Sequence, residues 1–515
     1  MLEALFIGVL GLIIAIVIAR IIFRLPSLSN RQPSCATKPA TAGPLFQPVV
    51  DLLEQHPDKS GVYALQSGLD AFAARGLLAE EASQSLDIQY YIWHKDLTGL
   101  LLLQALREAA GRGVTVRLLV DDNGIDGLDP ILSELNAHSH MEVRLYNPFT
   151  LRKFKVAGYL FDFLRLNRRM HNKSFTADGL ATIVGGRNIG DEYFDTGLQP
   201  IFIDLDVLAI GNVVQDVSTD FEKYWSSASA YPLEFIIAEP VQGGGNLDKA
   251  LAEISNSAQH KTYHERLSAS VVVSDLETGT LPLEWTDVRL ISDSPLKTLR
   301  KAKSDQLLIG QIDRLMDDVR HSIDVISPYF VPGKRGVHEF SALEKKGVEV
   351  RILTNSMSAN DVKLVHSGYA KYRGKLLKAG AELFELKAQH SPPENRRDAG
   401  LAGSSGSSLH AKTFATDEKR IYIGSFNFDP RSVQLNTEMG FLIESEAMAK
   451  QLKYGFDETL TDIAYRLELN DNQKIRWLDR SSAGETRGYD TDPETGQFER
   501  IFVKLVGYLP IQWLL

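Results

Sequence analysis

Two stretches of this 515-residue chain carry the same four polar residues at the same spacing. In the first, His171 is followed by Lys173, Asp178 and Asn188; in the second, His410 is followed by Lys412, Asp417 and Asn427. A small residue, Gly186 or Ser425, stands two positions before each Asn. An imidazole surrounded by an ammonium, an amide and a hydroxyl suits a phosphoryl group, whose oxygens accept charge-assisted hydrogen bonds and whose phosphorus accepts a nucleophile. Two such sets supply two histidines with separate tasks. One attacks phosphorus and becomes phosphohistidine; the other protonates the leaving alcohol and then deprotonates the incoming one. A lone His-x-Lys on a strand is usually a solvated face, but four repeated spacings are not explained that way.

Period-two alternation predicts a strand that puts His and Lys of each copy on one side, with Asn172 or Ala411 pointing away. Thr182–Val184 and Ile421–Ile423 read as the next strand of a hairpin, which returns Gly186 and Asn188, or Ser425 and Asn427, to the imidazole. The small residues there let a ligand approach the backbone. Other segments repeat at about the same separation. Ser85–Trp93 is answered by Ser322–Phe330, Arg112–Leu119 by Lys346–Leu353, and Met141–Tyr146 by Ala381–Leu386. Strands of this kind, alternating with amphipathic helices such as 99–112, predict an α/β fold with largely buried sheets. The duplication therefore covers whole half-domains, placed at 49–229 and 300–460, facing each other across a pseudo-twofold. Residues 230–299 match neither copy and read as an insertion, and 461–515 form a C-terminal extension.

The doubled H-x-K-x4-D, each copy followed by G-x-N or G-S-x-N, resembles the signature of the phospholipase D superfamily, over most of the chain beyond its N-terminal segment. The resemblance implies a duplicated phospholipase D-like fold with the two His and two Lys in one cleft between similar α/β sandwich halves, and no metal. It also implies a carboxylate partner for each imidazole some thirty residues on: Asp204 after His171, and Glu438 after His410. Such a carboxylate fixes the tautomer and stabilises the imidazolium. By the same resemblance, the motif's Asp178 and Asp417 hold the hairpin turn rather than touch phosphate. Asn167–Phe175, Gly185–Phe194, Gly424–Ser432 and Leu435–Gly440 look like bacterial cardiolipin synthases, nearest the C type. This implies transphosphatidylation from a donor such as phosphatidylglycerol or phosphatidylethanolamine to a hydroxyl of phosphatidylglycerol, with no cofactor. His171 would be the nucleophile and His410 the acid and base, with Lys173, Lys412, Asn188 and Asn427 on the phosphoryl oxygens. A hydrolytic phospholipase D differs only in its acceptor.

The composition is that of a folded protein, 44% hydrophobic and 24% charged, and long enough for more than one core. A formal net charge of −10 opposes nucleic acid as the main ligand and so disfavours a nuclease. A scaffold on a dead fold is disfavoured because both copies keep His and Lys. The lone Cys35 lies in a polar stretch, so there is neither a disulfide framework nor a cysteine-based metal site.

Residues 4–23 are apolar over about the twenty residues that span a bilayer. Glu3 precedes the run and Arg20, Arg24 and Arg31 follow it, the reverse of a signal peptide. The expectation is an uncleaved anchor, 1–25, in a bacterial inner membrane, with the catalytic part on the cytoplasmic side by the positive-inside rule. Pro26–Pro48 reads as a linker. In 151–169, Arg152, Lys153, Lys155, Arg165, Arg168 and Arg169 interleave with aromatics. That suits an anionic lipid surface or a partly buried helix with a solvated basic face. Residues 498–515 read as a second interfacial contact or a strip packed on the body. Gly243–Gly245 reads as a loop, and 389–408 as an active-site flap or an inert surface loop.

Overall fold

Short runs of aliphatic and β-branched residues, each closed by a turn, build two sheets from one chain. The computed structural model describes residues 2–197, 201–237, 245–255, 258–360, 362–388, 407–480 and 486–509. The first part holds β1 (Ser60–Leu65), β2 (Ser85–Ile92), β3 (Thr115–Gly124), β4 (Met141–Tyr146), β5 (Ser174–Ala177), β6 (Ala181–Gly185), β7 (Ile201–Ile203), β8 (Asp206–Gly211) and β9 (Ala230–Pro232). β10 (Glu284–Thr286), β11 (Val288–Ser292), β12 (Ser322–Ile326), β13 (Glu349–Asn355), β14 (Glu382–Leu386) and β15 (Ser407–Leu409) follow. The last are β16 (Thr413–Thr416), β17 (Arg420–Gly424), β18 (Met439–Ile443), β19 (Ala464–Leu469), β20 (Ile475–Arg480) and β21 (Thr486–Tyr489).

One sheet runs β10-β1-β8-β6-β5-β2-β3-β4-β9 and the other β11-β18-β17-β16-β12-β13-β14-β19-β20-β21. Seven strands correspond in order, β1-β8-β6-β5-β2-β3-β4 with β11-β18-β17-β16-β12-β13-β14, and in both sheets the last three are parallel. β11 thus takes in the second sheet the place of β1, although the sequence repeat stops short of it and puts residues 230–299 outside both copies. β10, two residues earlier, pairs with β1. The chain passes from one sheet to the other at Asp287.

Each sheet has a core under its own helices, and a third core joins the halves. Val184, Val207 and Ala209 of β6 and β8 pack there with Ile421, Ile423 and Phe441 of β17 and β18. Apolar side chains on the second faces of both sheets are removed from water only by this joining.

The helix Leu2–Ile22 contains the one segment, among the described residues, long and apolar enough to cross a membrane. It leaves its side chains exposed and touches the body where Phe23 stacks on Phe161 at 5.4 Å and Arg20 meets Asp162 at 3.4 Å. The following segment is tied down. Arg31 donates to the backbone oxygens of Ser227 (2.5 Å) and Ala230 (3.0 Å), the Thr37 hydroxyl to Asp87 (2.7 Å), and the Ala40 amide to the Asp178 backbone oxygen (2.8 Å).

The basic stretch 151–169 departs from expectation. Arg169 is fully buried on Asp121, Arg152 pairs with Asp122 and Asp129, Lys155 reaches Asp122, and Arg165 holds Asp162. These four charges face inward as internal ties, and the outward face carries Phe154, Val156, Leu160 and Leu164 together with the exposed Lys153. The C-terminal helix Gln497–Gly507 combines both readings of its segment, since Val503 and Val506 dock on the body while Phe498, Ile501, Phe502 and Leu505 are exposed. Gly243 and Gly244, and residues 389–406 of the expected flap, lie outside the described residues.

Candidate active site

Each histidine is placed by a backbone pairing between halves. Met170 bridges Thr437 in parallel, and the His171 amide donates to the Thr437 backbone oxygen at 2.9 Å. β15 pairs in parallel with β7, and the His410 amide donates to the Ile203 backbone oxygen at 2.8 Å. In both places the residue after the acceptor carbonyl is a carboxylate, so the pairing brings it against the imidazole of the other half. Glu438 Oε2 lies 2.7 Å from His171 Nδ1, and Asp204 Oδ2 lies 2.5 Å from His410 Nδ1. The partners are therefore crossed relative to the sequence-based assignment, which kept each carboxylate with the His before it. Chain order suggested the nearer His, and the inter-half pairing overrides it. His and Lys also precede their strands, since β5 starts at Ser174 and β16 at Thr413. The residues are extended because they cross to the other half, not because they belong to a sheet.

Lys173 and Lys412 each donate to the backbone oxygen of the His two residues earlier, the former at 2.6 Å. Lys412 Nζ is also 3.0 Å from His410 Nδ1. All four side chains are almost wholly buried, each His at 7% exposure. Burial pushes the His171 imidazole down to about 4 against the pull of Glu438, with Lys173 and Lys412 adding to the fall. Burial and Lys412 likewise lower His410, with Lys173 contributing, against Asp204. The crossed contacts, Glu438 on His171 and Asp204 on His410, bring the two motifs together. Burial lowers Lys173 well below the ordinary range. Against the upward push of burial, His171 and Lys173 hold Glu438 low, and His410 and Lys412 hold Asp204 low. A neutral imidazole donating Nδ1–H to a carboxylate leaves Nε2 with a lone pair.

The small residues have other tasks than expected. A Cβ on Gly186 would lie 2.1 Å from Asp204 Oδ1, so the carboxylate fills the space that a ligand was expected to use. Ser425 donates its hydroxyl to Glu438 Oε2 at 2.5 Å and accepts from the Met439 amide at 3.0 Å, so that hydroxyl serves the carboxylate rather than phosphate. Asn188 is held by the Ile92 amide (3.3 Å) and the Tyr193 hydroxyl (2.9 Å), whereas Asn427 Oδ1 is buried with no hydrogen-bond partner. Asp178 accepts from the Ser83, Gln84 and Ser85 amides at 2.8–2.9 Å, and Asp417 from those of Arg320, His321 and Ser322. Both have positive φ, 54° and 53°. They pin the hairpin turn to the start of β2 or β12, at the end of β5 or β16 that lies farther along the chain from the His and Lys.

Sequence reasoning missed the aromatic walls. Tyr91 packs edge-on to His171 at 5.0 Å, and Tyr193 and Phe202 pack on His410 at 5.2 and 5.0 Å. Their signal was position: Tyr91 ends a repeated strand, and Phe202 precedes Asp204. It also missed Asp293, which accepts from the Glu438 amide at 3.0 Å and is itself held by Lys297 at 2.7 Å. Burial pushes Asp293 up to about 6 against Lys297.

Two half-domains sharing reciprocal His and carboxylate pairs define a phospholipase D-like protein. A family described as "Cardiolipin synthase, PLD-like domain" matches residues 78–225 and 312–460. Cardiolipin synthase C of Escherichia coli (strain K12) is 48% identical over 471 residues, covering 92% of this chain and 99% of that protein. The major cardiolipin synthase of Bacillus subtilis (strain 168) is 28% identical, over 78% of this chain and 69% of its own. The crystal structure of a phosphatidylserine synthase from Haemophilus influenzae Rd KW20 superposes with a TM-score of 0.54 at 13% identity, covering 91% of this chain and all of that one, and supports the fold. The chain belongs to the cardiolipin synthase family of the phospholipase D superfamily, and it is a phosphatidyltransferase.

Proposed function

We propose that this protein makes cardiolipin by moving a phosphatidyl group through His171. Nε2 of His171 attacks the phosphorus of a donor such as phosphatidylglycerol or phosphatidylethanolamine. The bond from phosphorus to the headgroup oxygen breaks, and His410, which takes up a proton on Nε2 as the anionic donor binds, gives that proton to the departing alcohol. A terminal hydroxyl of a phosphatidylglycerol then enters, loses its proton to His410 and attacks phosphorus, and the P–N bond breaks. One phosphodiester replaces another, so the exchange calls for no nucleotide. Lys173, Lys412 and Asn427 hold the non-bridging oxygens, Asn427 by donating from its Nδ2.

The observation that carries this reading is the crossed pair of imidazoles, each anchored through Nδ1, with no hydrogen bond on Nε2 among the described residues. Their burial supports transfer to an alcohol over transfer to water. The lowered His171 supports its role as nucleophile, since an attacking imidazole must be neutral. The apolar helix Leu2–Ile22 supports anchoring in the inner membrane, and the arginines after it support a body on the cytoplasmic side.

Full-length protein in vesicles of radiolabelled phosphatidylglycerol, with and without phosphatidylethanolamine, tests the reading. Labelled cardiolipin is expected, and phosphatidic acid as sole product would make the protein a hydrolase. Given a labelled p-nitrophenyl ester of phosphatidic acid, whose leaving group needs no proton, His410→Ala should accumulate the phosphoenzyme and His171→Ala should form none.

A further inference from the structure

The two halves touch reciprocally. Met170 pairs with Thr437 as β15 pairs with β7, and His171 meets Glu438 as His410 meets Asp204. Reciprocal contacts define a twofold axis, here passing between the imidazoles, and equivalent points lie at equal height along it. The C-terminal ends of β3 and β13, where each strand runs into its loop, are such points, and both border the site. Asp121 near the end of β3 holds Arg169 and the Met170 amide, and Asn355 at the end of β13 holds Leu409.

Beside each loop stands an apolar helical segment, yet the two come from unrelated parts of the chain. In the first half, Lys155 donates to the Asp122 backbone oxygen at 2.8 Å and Tyr159 to Asn123 at 3.1 Å. This fixes a segment with Phe154, Leu160 and Leu164 outward, Leu160 at 79% exposure. In the second half, Lys363 joins the Met357 backbone oxygen to Glu499 (2.8 Å) of the C-terminal helix. That helix exposes Phe498, Ile501, Phe502 and Leu505, Phe498 at 90%. The spacing i, i+3, i+4, i+7 makes one stripe, and it points away from the docked Val503 and Val506. Apolar side chains on both sides of one cleft form a surface that water disfavours.

The occupant is indicated by continuity. The first patch adjoins the membrane-crossing helix through the Phe23–Phe161 stack and the Arg20–Asp162 pair. We infer that both helical patches seat in the lipid interface, so that the mouth of the cleft rests on the bilayer and phospholipids enter without crossing water. The inference goes beyond the phosphoryl chemistry and is independent of which lipid is exchanged.

Depth measurement tests it on the full chain in phosphatidylglycerol-containing vesicles. Cys35, the single native cysteine, is replaced by Ser. A nitroxide is then attached at Leu160→Cys, at Phe498→Cys, or at Lys346→Cys, an exposed control at the opposite end of β13. Labels at 160 and 498 should collide with oxygen and be shielded from a water-soluble nickel chelate at least fivefold relative to 346. Nickel access equal to the control at either site overturns the inference. So does shielding from both reagents, which would put a second protein there. As an activity readout, Phe498→Asp/Phe502→Asp should lower turnover of long-chain lipid in vesicles tenfold or more. It should leave turnover of monomeric dibutyryl phosphatidylglycerol unchanged, and equal loss on both substrates would also overturn the inference. Failure to form cardiolipin with the depth pattern intact would instead count against the proposed function alone.

Discussion

Glu438 sits 2.7 Å from His171 Nδ1 although 267 residues separate them, and Asp204, 206 residues before His410, makes the matching contact. Each half therefore orients the other's reacting ring. Glu438→Gln should lower kcat roughly a thousandfold or more by freeing the tautomer of His171. Asp204→Asn should do the same through His410. A p-nitrophenyl ester of phosphatidic acid separates the two, because its leaving group needs no proton. Release of p-nitrophenol in the first turnover should recover in Asp204→Asn and stay slow in Glu438→Gln, and the reverse pattern would exchange the roles of the histidines.

Burial holds His171 near 4 rather than 6.5, which favours the neutral ring. As pH falls below about 6.5 the unfolded chain takes up a proton that the folded chain refuses until about 4. The stability linked to this ring is thus complete above that window and lost on descending through it. Thermal melting between pH 6.5 and 4 should fall less steeply in His171→Asn than in the parent protein. An anionic phosphodiester between the lysines favours protonation of His410, the acid of the pair, while His171 stays neutral, so its binding near neutral pH should be accompanied by proton uptake. Calorimetry in buffers of different ionisation enthalpy would register that uptake, and binding enthalpies independent of buffer would count against it.

Gly186 and Ser425 occupy equivalent positions with opposite tolerance. A methyl group on Gly186 would lie 2.1 Å from Asp204 Oδ1, so Gly186→Ala must move the carboxylate off His410. Its loss in kcat should match that of Asp204→Asn. Ser425→Gly removes one hydrogen bond to a charged group, about 2 kcal/mol and hence roughly thirtyfold, and leaves the packing in place. Steady-state kinetics of the two variants would reverse this order if Gly186 were simply an opening for ligand.

Asp178 and Asp417 belong to the motif but act on stability. Asp178→Ala removes a fully buried carboxylate from the Ser83 and Gln84 amides and from the buried Ser85 amide, and should cost about 3 kcal/mol. Asp417→Ala, whose amides at 320 and 321 reach solvent, should cost about 1 kcal/mol. Denaturant unfolding measures both, and the folded fraction of each variant should keep its kcat within about twofold.

Much of this was legible before any coordinates. Repeated spacings carry function because one catalytic task constrains the same backbone twice, so His171, Lys173, His410 and Lys412 stood out, and the repeated strands gave the two sheets. The carboxylates Asp204 and Glu438 were legible as residues but not as partners, because the pairing is decided by parallel contacts between halves that leave no local periodicity. β11 escaped the repeat because an edge strand needs only apolar alternation, which Val288–Ser292 meets without resembling β1. In 151–169 the basic residues were correctly located, but Arg152, Lys155, Arg165 and Arg169 turn inward while Lys153 stays exposed. Composition counts charges, but Asp121, Asp122 and Asp129 decide which way they turn.

The segment from Arg31 to Ala40 is riveted to the first half at Ser227, Asp87 and Asp178. It is a strut and not a leash. The body cannot wander laterally or rise from its anchor by the length of an unwound chain, so its standoff is set by the few residues between Phe23 and Arg31. Flexible residues inserted there would lift the enzyme from its substrate supply, whereas the same insertion after Gly43 lies beyond the rivets and would leave its altitude unchanged.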